Sequence, residues 1–108
     1  MHQEFEKQYI LCAAIHIDDQ QKYPHQPKNI SSGIVVCGRR HCNCFTTITK
    51  MYLPEDFIAF KQQEKVVSGF LTSDDLFLTR LQALDVAFES GQVGKHLLGS
   101  ILTSEDLW

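Results

Sequence analysis

The residue types best suited to chemistry are concentrated in one short stretch of this sequence, "CGRRHCNCF" at positions 37–45. It contains two arginines, a histidine, an asparagine and three cysteines, and it directly follows the apolar run "GIVV". Such a stretch is compatible with a metal site, with a cysteine nucleophile and its helpers, or with a pocket for an anion. The spacing of the residues ranks these three possibilities.

The spacing gives the metal site only weak support. Cys37, His41, Cys42 and Cys44 are all metal-ligand types. Structural zinc, however, usually takes paired ligands two to four residues apart from two separate loops. Here Cys42 and Cys44 are separated by one residue and the sequence contains no second pair. We therefore expect no metal and no cofactor, and interpret Cys12, Cys37 and Cys44 as small buried residues.

Two enzymatic interpretations remain open. A cysteine beside two arginines at the start of a helix can act as a nucleophile, and Cys42 would be that cysteine, with His41 or His25 as its base. Alternatively, His25 and His41 act as acid and base in a metal-independent phosphodiesterase. No further residues supply a triad or an oxyanion hole. The sequence therefore favours binding without catalysis, and we assign no catalytic residue.

The anion pocket requires the fewest assumptions. Gly38 ends an apolar run and lets the backbone turn sharply, since it has no Cβ. A helix that starts there directs its first N–H groups and its dipole at one spot. Arg39 and Arg40 add forked donors that match phosphate oxygens, and His41 and Asn43 can bond to sugar hydroxyls or base edges. The sequence predicts a pocket for a phosphorylated small molecule, with a nucleotide as the best-fitting ligand.

Two other segments supply further candidate ligand-binding residues. His25, Gln26 and Lys28 lie on a loop that Pro24 and Pro27 stiffen, and this loop precedes the strand that leads to Gly38. Arg80 follows a helix N-cap, where its charge opposes the helix dipole. An arginine in that position is a candidate for contact with a specific partner.

Net charge limits the range of partners. The chain of 108 residues has a formal net charge of −3, so it has no overall basic field for gripping a long nucleic acid. Any anion site must be local. The alternative is that Arg39 and Arg40 are solvated, or pair with Asp18 and Asp19 across a sheet.

Alternating apolar residues predict a small antiparallel sheet. Residues 8–18 read as a strand. By the two-residue period, one face carries Tyr9, Leu11, Ala13, Ile15 and Ile17, and the other, which is at most half-buried, carries Cys12, Ala14 and His16. Residues 32–38, 66–72 and 76–78 read as the second, third and fourth strands, the last two forming a hairpin.

Two helices are predicted to pack on this sheet. The first covers residues 39–51, and Pro54 begins one short helical turn after it. The second starts at Thr79, with Gln82 completing a capping box, and stops at Gly91. The chain is therefore expected to be a single α+β domain over residues 1–108.

No segment is apolar enough to span a bilayer, and the N-terminus lacks a signal-peptide core, so we expect a cytoplasmic protein without membrane contacts. Small domains are often helped by oligomerisation. The apolar residues Leu102, Leu107 and Trp108 are predicted to form a contact in a homo-oligomer.

Three segments resemble a family of small phage and prophage proteins. They are "HQPKNISSGIVVCGRRHCNCF" from His25, "GFLTSDDLFLTRLQALDVAFESGQ" from Gly69 and the ending "LTSEDLW". The chain is also similar in size to the anti-Thoeris sponge proteins of phages, which it resembles. That resemblance implies a homo-oligomer in the host cytoplasm that binds a cyclic ADP-ribose isomer or a cyclic oligonucleotide without cleaving it.

Sequestration needs tight, pre-organised binding and no turnover, which suits a cluster rich in arginine that lacks a catalytic dyad. Two alternatives stay open. One is the phosphodiesterase that cleaves such a nucleotide, and the other is a protein-binding module that inhibits a host factor.

Overall fold

The structure is a computed structural model that describes residues 8–92. Within this range the chain forms four strands and three helices. Their bounds, in chain order, are β1 Ile10–Ile17, β2 Ile34–Gly38, α1 His41–Met51, α2 Pro54–Gln62, β3 Val66–Thr72, β4 Phe77–Thr79 and α3 Arg80–Glu89.

The strands form one sheet in the order β2-β1-β3-β4, and each neighbouring pair is antiparallel. The predicted α+β class is therefore confirmed. The predicted assignment of the β1 residues to the two faces of the sheet is correct only from Ala13 onward. The pairing of β1 with β3 shifts register between Ile10 and Cys12. This irregularity buries Ile10 and leaves Tyr9 and Leu11 exposed, although simple alternation predicted Tyr9 and Leu11 on the buried face.

The hydrophobic core lies between the sheet and two helices, α1 and α3. Helix α1 contributes Cys44 and Ile48, and α3 contributes Ala83 and Ala87, all at most 1% exposed. These side chains pack on the sheet around Phe70 and its buried neighbours from β1. We call this side of the sheet the helix face. Two helices packed on the sheet were predicted, and this is confirmed.

The other side of the sheet, which we call the loop face, is covered by the connection from β1 to β2. Gln26 accepts a hydrogen bond from the backbone of Val35 in edge strand β2, and Asn29 bonds to the backbone of Phe77 in edge strand β4. Pro27 between them is buried. Ala14 is consequently buried on this face, where the sequence predicted half-burial at most.

Helix α2 is longer than predicted. Pro54 is its first residue, as expected, but the helix continues for nine residues rather than one turn. It packs beside α1 through paired aromatic rings, Phe45 with Phe57 and Tyr52 with Phe60, whose centroids lie 6.0 and 5.7 Å apart.

None of the helices within residues 8–92 combines the length and the apolar content needed to cross a membrane. The predicted oligomer contact at Leu102, Leu107 and Trp108 lies outside the described residues.

Candidate functional site

The ends of β2 and β4 lie at the same level of the sheet. Gly38, the last residue of β2, pairs with Ala13 of β1. Thr79, the last residue of β4, pairs with Gly69 of β3, and Gly69 pairs with the neighbouring Ala14. Each of these strands leads within two residues into a helix on the helix face. Helices α1 and α3 therefore begin close to each other, although they are far apart in sequence.

The first residues of the two helices are in contact. Arg80 Nη2 lies 3.2 Å from His41 Nδ1, and His41 Nε2 lies 2.8 Å from the carbonyl oxygen of Gly69. A carbonyl only accepts hydrogen bonds and a guanidinium only donates them. The partners therefore assign the proton of the neutral imidazole to Nε2, which donates to Gly69, while Nδ1 accepts from Arg80.

The imidazole of His41 is held by packing as well as by hydrogen bonds. His41 is 6% exposed, and its ring meets that of Phe70 edge-on, with centroids 5.1 Å apart and an interplanar angle of 76°. Phe70 is itself completely buried. His41 thus links the starts of α1 and α3 to the centre of the core.

The start of α1 is fixed by its own residues. Arg40 is the N-cap, in extended conformation, and its backbone N–H donates to Asn43 Oδ1 at 3.0 Å. Gly38 allows the helix to begin this close to the strand. A Cβ at Gly38 would lie 2.9 Å from Asn43 Cβ and 3.0 Å from the backbone nitrogen of Cys44. The glycine predicted to allow a sharp turn does so.

The start of α3 is fixed by the predicted capping box. Thr79 Oγ1 accepts from the backbone of Gln82 at 3.3 Å, and Gln82 Oε1 accepts from the backbone of Thr79 at 3.0 Å. This arrangement satisfies two backbone groups at the helix start and sets the position of Arg80.

Charge distinguishes these two helix starts from that of α2. Helix α2 carries Glu55 and Asp56 in its first turn, where they complement the dipole. Neither α1 nor α3 has an acidic residue in its first turn. The positive ends of both dipoles therefore coincide with arginine side chains rather than with carboxylates.

The structure brings together four of the residues that the sequence singled out, namely Arg40, His41, Asn43 and Arg80. Arg39 lies next to them and is exposed. The alternative in which Arg39 or Arg40 pairs with Asp18 or Asp19 is wrong. Asp18 and Asp19 lie past the opposite end of β1 and accept hydrogen bonds within the following loop. Asp18 accepts from Gln20 and Ser32, and Asp19 accepts from Gln21 and Tyr23.

The other three predicted residues lie elsewhere. Gln26 uses its side-chain oxygen on Val35, and the backbone of Lys28 donates to Asp75. Both positions belong to the segment that covers the loop face. His25, in the same segment, is exposed and has a left-handed backbone, with φ of 63°. The proline-stiffened loop covers the far side of the sheet instead of joining the arginines.

The cysteines divide between the two faces. Cys44 is buried and Cys12 is half-buried, whereas Cys37 and Cys42 are exposed. Cys12 and Cys37 lie on the loop face of neighbouring strands, and their thiols form a hydrogen bond. This bond lowers the pKa of Cys37 to about 7 and raises that of Cys12, because Cys12 keeps its proton and donates it to the Cys37 thiolate. Within residues 8–92, no group of three or more His, Cys, Asp or Glu side chains is arranged to hold a metal.

Two features of the site escaped the sequence prediction. The Cys12–Cys37 pair depends on strand register, which the sequence alone did not supply. Gly69, whose carbonyl accepts the hydrogen bond from His41, carried a usable signal, because a glycine inside a strand often marks a close approach. A Cβ there would lie 2.0 Å from the carbonyl oxygen of Leu78.

Comparison with known proteins places the chain among phage proteins. A search of curated proteins finds no match, and a search of solved structures finds no match either. The sequence model of one family, described as the Phage T4 y16D protein, matches residues 9–108, a range that includes all the strands and helices described above. The chain therefore belongs to the Phage T4 y16D protein family.

Proposed function

We propose that this protein binds a nucleotide immune signal, a cyclic ADP-ribose isomer or a cyclic oligonucleotide, and sequesters it without cleaving it. The contact between His41 and Arg80 carries the proposal, since it joins two helix N-termini at one place. Membership of a phage family agrees with a role in countering host defence. Assembly into a homo-oligomer and residence in the host cytoplasm belong to the same proposal.

The electrostatics of the two helix starts favour a phosphate group. Each helix N-terminus carries the equivalent of roughly half a positive charge, and neither first turn neutralises it. Arg39, Arg40 and Arg80 add full charges nearby. Arg40 and Arg80 already make interactions within the fold, which limits their freedom before a ligand arrives. Donors that are ordered in advance lower the entropic cost of binding.

Binding is favoured over cleavage by the environment of His41. Both of its ring nitrogens are engaged, one with a backbone carbonyl and one with a guanidinium that only donates. General acid–base catalysis needs a ring nitrogen within reach of the substrate. His25, the proposed second histidine of the phosphodiesterase, lies on the segment that covers the loop face. These two histidine environments favour sequestration over the phosphodiesterase.

A thermal-shift screen with intact-ligand recovery tests the proposal. The full-length protein is mixed with cyclic ADP-ribose isomers, cyclic dinucleotides or cyclic trinucleotides, and unfolding is recorded. A ligand at 100 times its dissociation constant should raise the free energy of unfolding by about 2.7 kcal/mol. Heating the complex should then release the ligand chemically unchanged, as judged by chromatography. New products that increase with time would instead support the phosphodiesterase, and no stabilisation by any nucleotide would favour the protein-binding module.

A matched pair of variants locates the site. Arg39 and Lys28 are both exposed cations that the sequence selected, but only Arg39 lies at the helix starts. R39A should weaken affinity by about tenfold or more, in line with the loss of one charge-assisted hydrogen bond. K28A should leave affinity unchanged. Equal effects of the two variants would place the ligand elsewhere.

A further inference from the structure

A shallow apolar groove lies between α1 and α2, away from the helix starts. It encloses a cavity of about 170 Å³. The side chains that line it are Phe45, Ile48, Thr49, Tyr52, Pro54, Phe57 and Ile58. All but Thr49 present mainly carbon to the cavity, so water in the groove makes few hydrogen bonds and its displacement is favourable.

Helix α2 is poorly covered by the rest of the fold. No residue of α2 is buried within the part of the chain that the structure describes. Ile58 is 52% exposed, and Leu53, just before the helix, is 60% exposed. A nine-residue helix has little stability of its own and normally depends on packing along one apolar side. Phe57 and Phe60 pack against the core, whereas Ile58 and Leu53 remain exposed and therefore call for a further partner.

The charges of α2 indicate what that partner is. Glu55 and Asp56 occupy its first turn and Lys61 its last turn. Glu55 lies three residues before Ile58, and Lys61 lies three residues after it. A second α2 that runs in the opposite direction across Ile58 would bring the acidic end of each helix to the basic end of the other. The two helix dipoles would also oppose each other favourably.

We propose that a second copy of this chain occupies the groove, in a twofold-symmetric dimer with the two α2 helices antiparallel. In such an isologous interface each copy places Ile58 and Leu53 against the groove of the other. Lys61 lies 5.8 Å from the centre of the Phe57 ring, so its charge already stands at the edge of the groove. This inference deepens the homo-oligomer part of the proposed function, but it can fail independently of nucleotide binding, because the groove and the helix starts share no lining residue.

Sedimentation and light scattering on the full-length protein test the dimer. The wild type should have twice the 12.4 kDa mass of one chain at high concentration. I58E should shift the protein to a monomer, since it buries a charge at the centre of the contact. L81E is the matched control, because Leu81 is 64% exposed on α3, outside the groove, and this variant should remain dimeric. Circular dichroism is used as the control, and it should show that both variants remain folded.

Charge reversal supplies the decisive comparison. E55K and K61E should each weaken dimerisation by about tenfold or more, because each places like charges in contact at two symmetric positions. The double variant E55K/K61E should restore affinity. Each substitution also opposes the dipole of its own helix. If the substitutions acted only through that helix, the double variant would have the lowest dimer affinity of all. A monomeric wild type at every concentration, equal behaviour of I58E and L81E, or a double variant without recovery would each overturn the proposal.

Discussion

The imidazole of His41 and the guanidinium of Arg80 join the first turns of two helices, with Nδ1 and Nη2 3.2 Å apart across 39 positions of sequence. The same imidazole donates to the carbonyl of Gly69 in the central strand β3. One side chain thus fixes both helix starts to the sheet. The geometry of the candidate site depends on this link.

The contact itself is open to a double-mutant cycle. R80A should lower the free energy of unfolding by about 1–2 kcal/mol, because it leaves the buried Nδ1 of His41 without its donor. H41L should cost a similar or larger amount, since the Gly69 carbonyl also loses its partner. If the two residues act together, the double variant should cost less than the sum by about 0.5 kcal/mol or more in denaturant unfolding. Strict additivity would show that the contact contributes nothing.

Gly69 should tolerate no side chain. In G69A the new Cβ would lie 2.0 Å from the carbonyl oxygen of Leu78, so β4 would have to move and carry the start of α3 with it. We expect a loss of about 3 kcal/mol or more in stability. G91A is the control, because nothing lies within 4 Å of its Cβ and only the backbone φ of 80° opposes it, at a cost of about 1–2 kcal/mol. Equal losses in thermal unfolding would contradict the close approach at Gly69.

The capping box of α3 should contribute to both stability and binding. T79A removes the acceptor for the Gln82 amide and should cost about 1 kcal/mol. It should also weaken nucleotide affinity, because fraying of the first turn loosens Arg80. T46A is a suitable control, since Thr46 is an exposed residue inside α1 that does not line the groove, and its loss should change stability by no more than about 0.5 kcal/mol. An equal response of both variants would remove the special role of Thr79.

Cys37 should react with alkylating reagents at a pH where ordinary thiols are slow. Its hydrogen bond from Cys12 lowers its pKa to about 7, so it is mainly thiol below that pH and mainly thiolate above it. The rate of iodoacetamide modification at Cys37, followed by mass spectrometry, should therefore rise with a midpoint near 7. In C12A the stabilising donor is absent, and the midpoint should move upward. A midpoint that is the same in both proteins would exclude the thiol–thiol bond.

The elements were predictable where their signals are local. Strand β3 follows from a compact apolar run. Helix α3 follows from Thr79 and Gln82 at its start and Gly91 just past its end, each of which acts on the helix end beside it. Helix α2 was underestimated because it buries no residue and so shows no strong apolar stripe in the described part of the chain. The exposed position of Leu11 depends on a register shift, which alternation along one strand does not reveal.

The sequence predicted which residue types form the candidate site, but only partly which of those residues lie together in the fold. Arg80 was predictable because a cation at a helix start is unfavourable without a compensating contact, and in the structure it contacts His41. The sequence could not place Lys28 or Gln26, because proximity along the chain does not determine which face of a sheet a long loop covers. That choice is made by distant contacts, such as the bonds between Asn29 and Phe77.

The most direct test of the nucleotide proposal is a map of amide chemical shifts by NMR while a stabilising cyclic nucleotide is titrated into the protein. We expect the largest changes at residues 39–43 and 79–82, with small changes at residues 24–29 on the loop face. Changes concentrated on residues 24–29, or no saturable change at either helix start, would contradict a phosphate site between α1 and α3.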